Sequence, residues 1–482
     1  MRNYRSVLRV LSLLILDLIA FYAALFLAVF TRTFLFPFFV KESTTFGFTL
    51  SYFLSIWWVP LVYLAVFQFF KLYRVRYPFW EESRTILKAV TIASLFVFLT
   101  VFVRSMYGSI SRLVFVFLWA AMIFATPFVR FFGKKLMYRI GLWRERVIIL
   151  GAGESGVATL KGLAREEHLG YSVAGFLDDD PEKAGSLISF KGKDYKVFGS
   201  TDNFGKFVGI LGIETVFIAD TGQGQEKLSE LVNQVYQEVK RVMIIPEIKG
   251  IAIFNSELHY LFMERLFLIK VNNNLNSLAS RFVKRAFDLT LSILGFLATS
   301  PIYLVLALLV KLTSPGPVIF SHKRVGRGGK EFRAHKFRTM YRDSQERLKK
   351  ILATDPKARE EWESSFKLKN DPRVTPLGKF LRATSLDEIP QIFNIIAGEM
   401  SLIGPRPVVQ EELDKYYGDH REYYNSVTPG LTGLWQVSGR SNTDYAFRIE
   451  TDAWYVQNWS LWLDMIILLK TVPAVLMREG AY

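Results

Sequence analysis

Residues 289–310 read LTLSILGFLATSPIYLVLALLV, 22 residues without a charge. At this length a helix can cross ~30 Å of hydrocarbon, so length alone makes it a membrane span. The flanks argue otherwise. Arg281, Lys284 and Arg285 precede it; Lys311, Lys323, Arg324, Arg327 and Lys330 follow. Basic residues stay on the cytoplasmic side, and one crossing cannot put both ends there. In the middle stands Ser300-Pro301. Proline removes a backbone donor and clashes with the carbonyl four residues back, which kinks a helix. The Ser300 hydroxyl can bond a carbonyl freed by that kink. The sequence therefore predicts a re-entrant membrane helix over 283–311, entering one leaflet, turning at Ser300-Pro301 and returning. The competing arrangement is an ordinary kinked span with the last domain outside.

Upstream, residues 10–30, 48–70, 85–103 and 113–129 read as four membrane spans, a transmembrane domain over 1–140. Arg2, Arg5 and Arg9 lie before the first span, and Lys71, Arg74, Arg76 and Arg84 after the second. Arg130, Lys134, Lys135, Arg139, Arg144 and Arg146 follow the fourth. Counting these as loop charges puts both ends of the bundle in the cytoplasm. Asp17 falls inside the first span, where a helix-packing or interfacial role is expected, since nothing downstream supplies a proton-relay partner.

Residues 147–156 read VIILGAGESG, an apolar strand running into Gly151, Gly153 and Gly156. Such glycines permit a tight turn, close approach to a phosphate and packing of the next helix. A second strand over 172–177 ends at Asp178, where a ribose-binding acid would lie. With strands near 215–219 and 242–245, a doubly wound, Rossmann-like α/β domain is expected over 145–265. A bare scaffold needs the same glycines, so nucleotide binding does not follow from them. Tyr236 and Lys240 have reductase spacing, but Lys240 falls at a helix end and the pair reads as a solvated face.

Composition narrows the chemistry. The 482 residues carry 60 Lys+Arg against 44 Asp+Glu, no Cys and five His, which excludes a thiol nucleophile, a disulfide scaffold and a thiolate zinc site. Residues 311–350 hold 12 Lys/Arg against three acids. Anionic lipid attracts such a segment, while a stretch pinned to a membrane suits nucleic acid poorly. Phosphates on a soluble substrate and a lipid head group fit better.

The sharpest segment is Leu381-Arg-Ala-Thr-Ser-Leu-Asp-Glu-Ile-Pro-Gln391. A capping box between Ser385 and Glu388 would put Pro390 at a costly fifth helical position. A helix beginning at Asp387 makes Pro390 harmless. The Asp387-Glu388 pair is thus expected at a helix N-terminus, between Arg382 and the Lys336/Arg338 group. A carboxylate there can attack phosphorus, with cations and the helix dipole lowering its pKa. Its neighbour can hold Mg²⁺.

Lys336-Phe-Arg-Thr-Met340, Arg382-Ala-Thr-Ser-Leu-Asp-Glu-Ile-Pro-Gln391, Ser401-Leu-Ile-Gly-Pro-Arg-Pro407, Pro429-Gly-Leu-Thr-Gly433-Leu-Trp-Gln-Val-Ser-Gly-Arg440 and Asp452-Ala-Trp-Tyr together resemble the bacterial sugar transferase family, the monotopic polyisoprenyl-phosphate phosphoglycosyl transferases. The resemblance covers 280–482 and implies a mainly α catalytic domain there. The whole chain would be a membrane protein: an α-helical transmembrane bundle, an α/β Rossmann-like domain, and the catalytic domain with its re-entrant membrane helix. It implies a bacterial inner-membrane, multi-pass enzyme with its catalytic domain facing the cytoplasm. Asp387 would attack a UDP-sugar, releasing UMP, and undecaprenyl phosphate would take the phosphosugar from it. Glu388 would bind Mg²⁺ or manage the lipid phosphate, and Asp452 would support the metal with Asp387 and Glu388. Lys336, Arg338 and Arg382 would hold phosphates, and Arg406, Pro407 and Arg440 would cradle the uridine. Ser300 and Pro301 match the family's hinge. The closing Arg478-Glu-Gly-Ala-Tyr482 is similar to the galactose-1-phosphate branch, with glucose-1-phosphate or an N-acetylhexosamine-1-phosphate as alternatives. The partners expected are the UDP-sugar, undecaprenyl phosphate, membrane lipid and a second copy of the chain, with no nucleic acid. A membrane nucleotide-sugar dehydratase or epimerase, or a non-catalytic assembly scaffold, are the more distant readings. Residues 459–476 read as a helix lying against lipid or against the protein's own core.

Overall fold

A computed structural model describes residues 2–38, 56–103, 112–219, 224–246, 254, 256–261, 266–356, 359, 368, 371–438 and 445–476. The chain divides into two compact units, Met1–Lys249 and Gly250–Tyr482.

In the first unit, α1 (Arg2–Phe30), α2 (Trp58–Phe69), α3 (Phe79–Val103) and α4 (Arg112–Arg139) form the bundle. Of the second predicted span residues 56–70 are described, with α2 among them; 48–55 lie outside the described residues. Ala20, Ala24 and Ala28 recur every four residues along α1 and are buried, as are Ala89 and Ala93 of α3. Small side chains let helices approach closely where lipid supplies no hydrophobic drive. Ile15, Phe26, Phe96, Phe124 and Phe128 point outward, an apolar exterior suited to lipid.

The bundle holds a buried charge cluster. The Arg130 guanidinium donates from Nε and Nη2 to the two Asp17 oxygens, both at 2.7 Å, and from Nη1 to Glu82 at 2.9 Å. Lys134 lies 2.6 Å from the same Glu82 oxygen, and the Tyr73 hydroxyl donates to Asp17 at 2.7 Å. This corrects two expectations. Arg130 and Lys134 are not loop charges, because α4 continues to Arg139 and buries both on one face, four residues apart. Asp17 does have downstream partners, in a cluster of two carboxylates and two cations. Its packing role stands on that neutrality.

The α/β domain follows. Strand β1 (Glu145–Leu150) lies between β2 (Tyr171–Leu177) and β3 (Thr215–Ile218), with β4 (Arg241–Ile244) beyond β3, all parallel in the order β2-β1-β3-β4. Val147 to Leu150 are wholly buried because helices cover both faces of a parallel sheet. Gly151 takes φ +98°, and a Cβ on Gly156 would collide with the Gly151 carbonyl, so the glycine spacing is required by the turn itself. Asp178 accepts from the Ala152 N–H of that turn at 2.7 Å and from Asp180 N–H at 2.9 Å. The acid expected at a ribose is engaged with the backbone beside Gly151. Tyr236 is exposed, and Lys240 pairs with Glu214 on the surface, as the sequence suggested. The sheet ends at Ile244; the antiparallel hairpin Glu257–Leu261/Leu266–Lys270 belongs to the second unit.

In the second unit, α5 (Leu278–Thr313) is a 36-residue helix that remains helical across Ser300-Pro301. Ser300 Oγ donates to the Leu297 carbonyl at 2.9 Å, the group whose helical partner Pro301 removes. Lys284, Asp288 and Ser292 share one buried face near its start, while Leu306 and Val310 are buried near its end. Antiparallel strands β5 (Ile319–Val325) and β6 (Glu331–Phe337) follow, then α6 (Pro376–Ala383), a 3-10 turn at Leu386–Glu388, and α7 (Gln391–Ala397). The parallel pair β7 (Ser401–Ile403) and β8 (Gly430–Thr432) and helices α8 (Tyr445–Gln457) and α9 (Leu461–Leu476) complete the fold. Helix α9 turns Leu463, Asp464, Ile466 and Ile467 into the core and leaves Leu469 and Val472 outside. Asp464 accepts from Lys284, from the Tyr455 hydroxyl and from Trp459 Nε1, tying α9 to the start of α5.

Candidate active site

The site is assembled by three close approaches. Thr375 caps α6 by accepting from Gly378 N–H at 2.9 Å, with Pro376 at the first helical position. A Cβ on Gly378 would strike the Thr339 carbonyl, so only glycine lets α6 press against the end of β6. That contact brings Arg382 Nε to Thr339 Oγ1 at 2.9 Å. On the other side, the Asn394 amide donates to the Arg333 carbonyl at 2.8 Å and its oxygen accepts from His335 N–H at 3.0 Å, clamping α7 to the hairpin. Between α6 and α7 the chain must reverse, and Ser385 does so at φ +56°, a left-handed conformation uncommon outside glycine. Its side chain caps nothing, so no capping box forms. The 3-10 turn that follows carries Asp387 and Glu388.

Lys336 Nζ lies 2.5 Å from Glu388 Oε1 and 3.9 Å from Asp387 Oδ2, and Arg406 Nη2 is 4.0 Å from the same Glu388 oxygen. Asp387 and Glu388 line a cavity of about 1450 Å³. Arg382, Arg406 and Pro407 line it too, as do Lys336 and Arg338, so the structure brings these predicted residues together. Arg338 is oriented by donating from Nη2 to the Ser314 carbonyl, just past the end of α5. Sequence reasoning gave no role to Arg342, Arg373 and Arg448, nor to Arg324 beyond a flanking charge, all of which also face the cavity. Three acids, Asp387, Glu388 and Glu412, face eight cations there.

Two expectations need correction. The Asp387 carboxyl is pushed up from the ordinary range, not down: burial dominates, Lys336 and Arg382 oppose it, and Glu388 adds to it. The reason is geometric, since Lys336 makes its short contact with Glu388 and the turn at Leu386–Glu388 is too short to supply a helix dipole. Asp452 is not delivered to the pair. It is buried on α8, accepts from the Tyr417 hydroxyl at 3.4 Å, and burial pushes it up to about 7. Among the described residues no three His, Cys, Asp or Glu side chains converge as metal ligands. An all-protein cage is therefore absent there, but two adjacent carboxylates beside a cationic cavity fit Mg²⁺, which commonly takes one or two carboxylates with substrate phosphates and water. Arg440 lies outside the described residues. The Gly404-Pro405-Arg406-Pro407 turn is pressed against Gly430, where a Cβ on Gly404 would lie 2.9 Å from the Gly430 nitrogen.

The sign of the Asp387 shift has a kinetic consequence. Were Asp387 to act as a nucleophile it would have to be ionised, and activity is then expected to fall as pH drops through its raised pKa. Lys336 favours the ionised form; Lys336→Gln is expected to move the acid limb of the kcat/KM profile to higher pH. An unmoved limb would show that Asp387 is not the titrating group.

Residues 279–478 match the family described as bacterial sugar transferase, and residues 65–246 match one described as CoA-binding domain. The chain is 41% identical over 412 residues to the undecaprenyl-phosphate galactose phosphotransferase of Salmonella typhimurium, spanning 85% of this chain and 84% of that one. It is 39% identical to the UDP-galactose-lipid carrier transferase of Erwinia amylovora, over 85% and 84% of the two chains. To the UDP-glucose:undecaprenyl-phosphate glucose-1-phosphate transferase of Escherichia coli it is 32% identical, over 71% and 70%. With the carboxylate pair, the cation-lined cavity and relatives matched along most of their length, the chain belongs to the bacterial sugar transferase family and is a membrane transferase.

Proposed function

We propose that the enzyme transfers hexose 1-phosphate, galactose 1-phosphate before glucose 1-phosphate, from a UDP-sugar to undecaprenyl phosphate, as a first membrane step of polysaccharide synthesis. The observation that carries this is Asp387, buried at the wall of a cavity lined by eight cations. An Asp387 oxygen attacks the sugar-bearing phosphorus; the bond from that phosphorus to the UMP oxygen breaks and UMP leaves. The acyl phosphate so formed is attacked by an oxygen of the lipid phosphate, the aspartyl–phosphorus bond breaks, and Asp387 returns as a carboxylate. Lys336, Arg382 and Arg406 screen the anions that must meet. Mg²⁺, held by Glu388 with Asp387, would neutralise phosphate oxygens when bound. The preference for galactose rests on the two UDP-galactose or galactose relatives at about 40% identity against 32% for the glucose one. The test is lipid-dependent UMP release by the full chain with UDP-galactose, UDP-glucose and a UDP-N-acetylhexosamine side by side. Galactose should lead; release from another donor alone would reject the sugar, and release from none would reject the reaction.

The re-entrant arrangement of α5 is supported by where its two ends attach. Lys284 donates to the Ile403 carbonyl at 3.0 Å and pairs with Asp464. Leu306 and Val310 pack with Phe337 and Leu381 beside the catalytic turn. Both ends therefore hold to one catalytic unit, which a helix with its ends on opposite membrane faces would not do. The natural chain has no cysteine, so single cysteines at Leu278 and Leu312 can be labelled without background. Both are expected to react from the cytoplasmic side. Replacing Ser300 and Pro301 by leucine, which restores the helical donor, is expected to send one of them across. Labelling of the two wild-type ends from opposite sides would reject the hinge.

A further inference from the structure

One cation in the cavity is packed against two aromatic rings. Arg448 on α8 is 8% exposed, and its guanidinium lies 5.0 Å from the Trp435 ring centroid and 5.1 Å from that of Tyr445. Nη1 donates weakly to the Tyr445 hydroxyl at 3.5 Å. Nε and Nη2 make no hydrogen bond among the described residues, although both are buried. Arg448, Trp435 and Tyr445 all face the cavity that holds Asp387. Two buried donors without a hydrogen bond carry a free-energy penalty that an incoming acceptor oxygen relieves.

The acceptor can be a phosphate oxygen or a carbonyl, and the charges around Arg448 choose between them. Glu412 Oε2 lies 3.9 Å from Nη2 and also accepts from the Tyr445 hydroxyl at 3.0 Å. Asp452 acts on Arg448 from the same helix. The cation is thus already compensated, so a dianionic phosphate gains little there, whereas a neutral carbonyl can use the directed N–H groups without bringing a charge. The cations beside Asp387 are arranged differently. Lys336 and Arg406 gather about Glu388, and Arg324 lies within electrostatic reach of both Arg406 and Arg448. That gives an ordered run: Asp387 for the sugar-bearing phosphorus, Arg406 and Arg324 along the diphosphate, and Arg448 with two aromatic rings at the far end.

We propose that Arg448 reads the base of the donor nucleotide, its Nε–H and Nη2–H donating to the uracil C4 carbonyl while Trp435 and Tyr445 flank the ring. This rests on the UDP-sugar reading above and adds the residue that makes the donor a uridine nucleotide. Cytosine presents an amino group where uracil has its C4 carbonyl, so donor would face donor and the buried N–H groups would stay unpaired. Sites built to hydrogen-bond a group reject analogues that lack it strongly.

The test is competition binding to the full chain in lipid nanodiscs with UMP, CMP and ribose 5-phosphate, which keeps the phosphate and loses the base. The wild type should prefer UMP to CMP by at least about 100-fold. Arg448→Gln should lose at least about tenfold in UMP affinity, narrow the UMP/CMP ratio, and leave ribose 5-phosphate binding unchanged. Equal losses for UMP and ribose 5-phosphate would overturn the proposal in favour of a phosphate contact, and unchanged UMP affinity would overturn it in favour of a packing role. If removing Arg448 beside Asp452 prevents folding, Trp435→Leu carries the same comparison: UMP and CMP should weaken, and ribose 5-phosphate should not. A wild type that releases UMP from its sugar donor yet does not distinguish UMP from CMP would sink the base reading alone; one that releases none would sink the donor reading.

Discussion

Asp387→Asn is expected to leave a folded protein whose UMP release is down by at least about four orders of magnitude. The amide keeps the shape of the side chain but cannot form an acyl phosphate, so both half-reactions are lost together. Stability should not fall with activity. Burial raises the Asp387 pKa, which means that folding disfavours the ionised form. Above the unfolded pKa that carboxylate therefore costs stability, and the neutral amide removes the cost, so the melting temperature of Asp387→Asn should equal or exceed that of the wild type. This opposition of stability and function is common where a site holds a reactive group against its solvation preference. Glu388→Gln separates the two carboxylates. It removes the partner of Lys336 and a raising influence on Asp387, but leaves the proposed nucleophile in place. Mass spectrometry after incubation with donor alone should find a phosphosugar on Asp387 in the wild type and none in Asp387→Asn. A folded Asp387→Asn protein that still releases UMP at more than a small fraction of the wild-type rate would exclude the covalent mechanism.

What could be read from the sequence was local. The Asp387-Glu388 pair, the parallel strand at 147–150 and the glycine turn behind it all follow from residues near one another in the chain. So does the Ser300 bond to Leu297, because Pro301 names the carbonyl it frees. The errors arose where the deciding partner was far away. Lys336 was expected to hold Asp387 ionised, but a side chain 52 residues away chose the neighbouring carboxylate, and burial then set the sign of the shift. Asp452 sits in a motif block and looked like a ligand; its partner is Tyr417 and its cation is Arg448, on the same helix face one turn earlier. Arg448 itself carried one readable signal, an Arg shortly after Trp435 and beside Tyr445, but that pattern means nothing until the fold turns the three toward one cavity. Arg130 and Lys134 were misplaced for the opposite reason. Flanking-charge rules count basic residues near a span without asking whether the helix continues. Asp17 and Glu82 at the same depth, with cations four residues apart on α4, were the available sign that it does.

Breaking that cluster is expected to be the costliest change outside the active site. Asp17→Leu leaves Arg130 and Lys134 sharing Glu82, one uncompensated charge in a wholly buried position, and should destabilise the bundle by about 3–5 kcal/mol. Lost hydrogen bonds alone cannot explain so much, because interhelical hydrogen bonds in membrane proteins couple by only about 0.6 kcal/mol on average. Charge balance is therefore the testable cause. Arg130→Met restores the balance when combined with Asp17→Leu: Glu82 keeps Lys134 at 2.6 Å, no net charge remains buried, and methionine refills part of the volume. The double variant should recover most of the stability lost by either single one, a large favourable coupling in a double-mutant cycle read by denaturant or thermal unfolding in detergent. Additive losses would mean that the four residues act as independent packing groups. Recovery would mean that α1, α3 and α4 are locked in register by mutual neutralisation, and that Asp17 is retained in the first span to neutralise Arg130 rather than to move a proton.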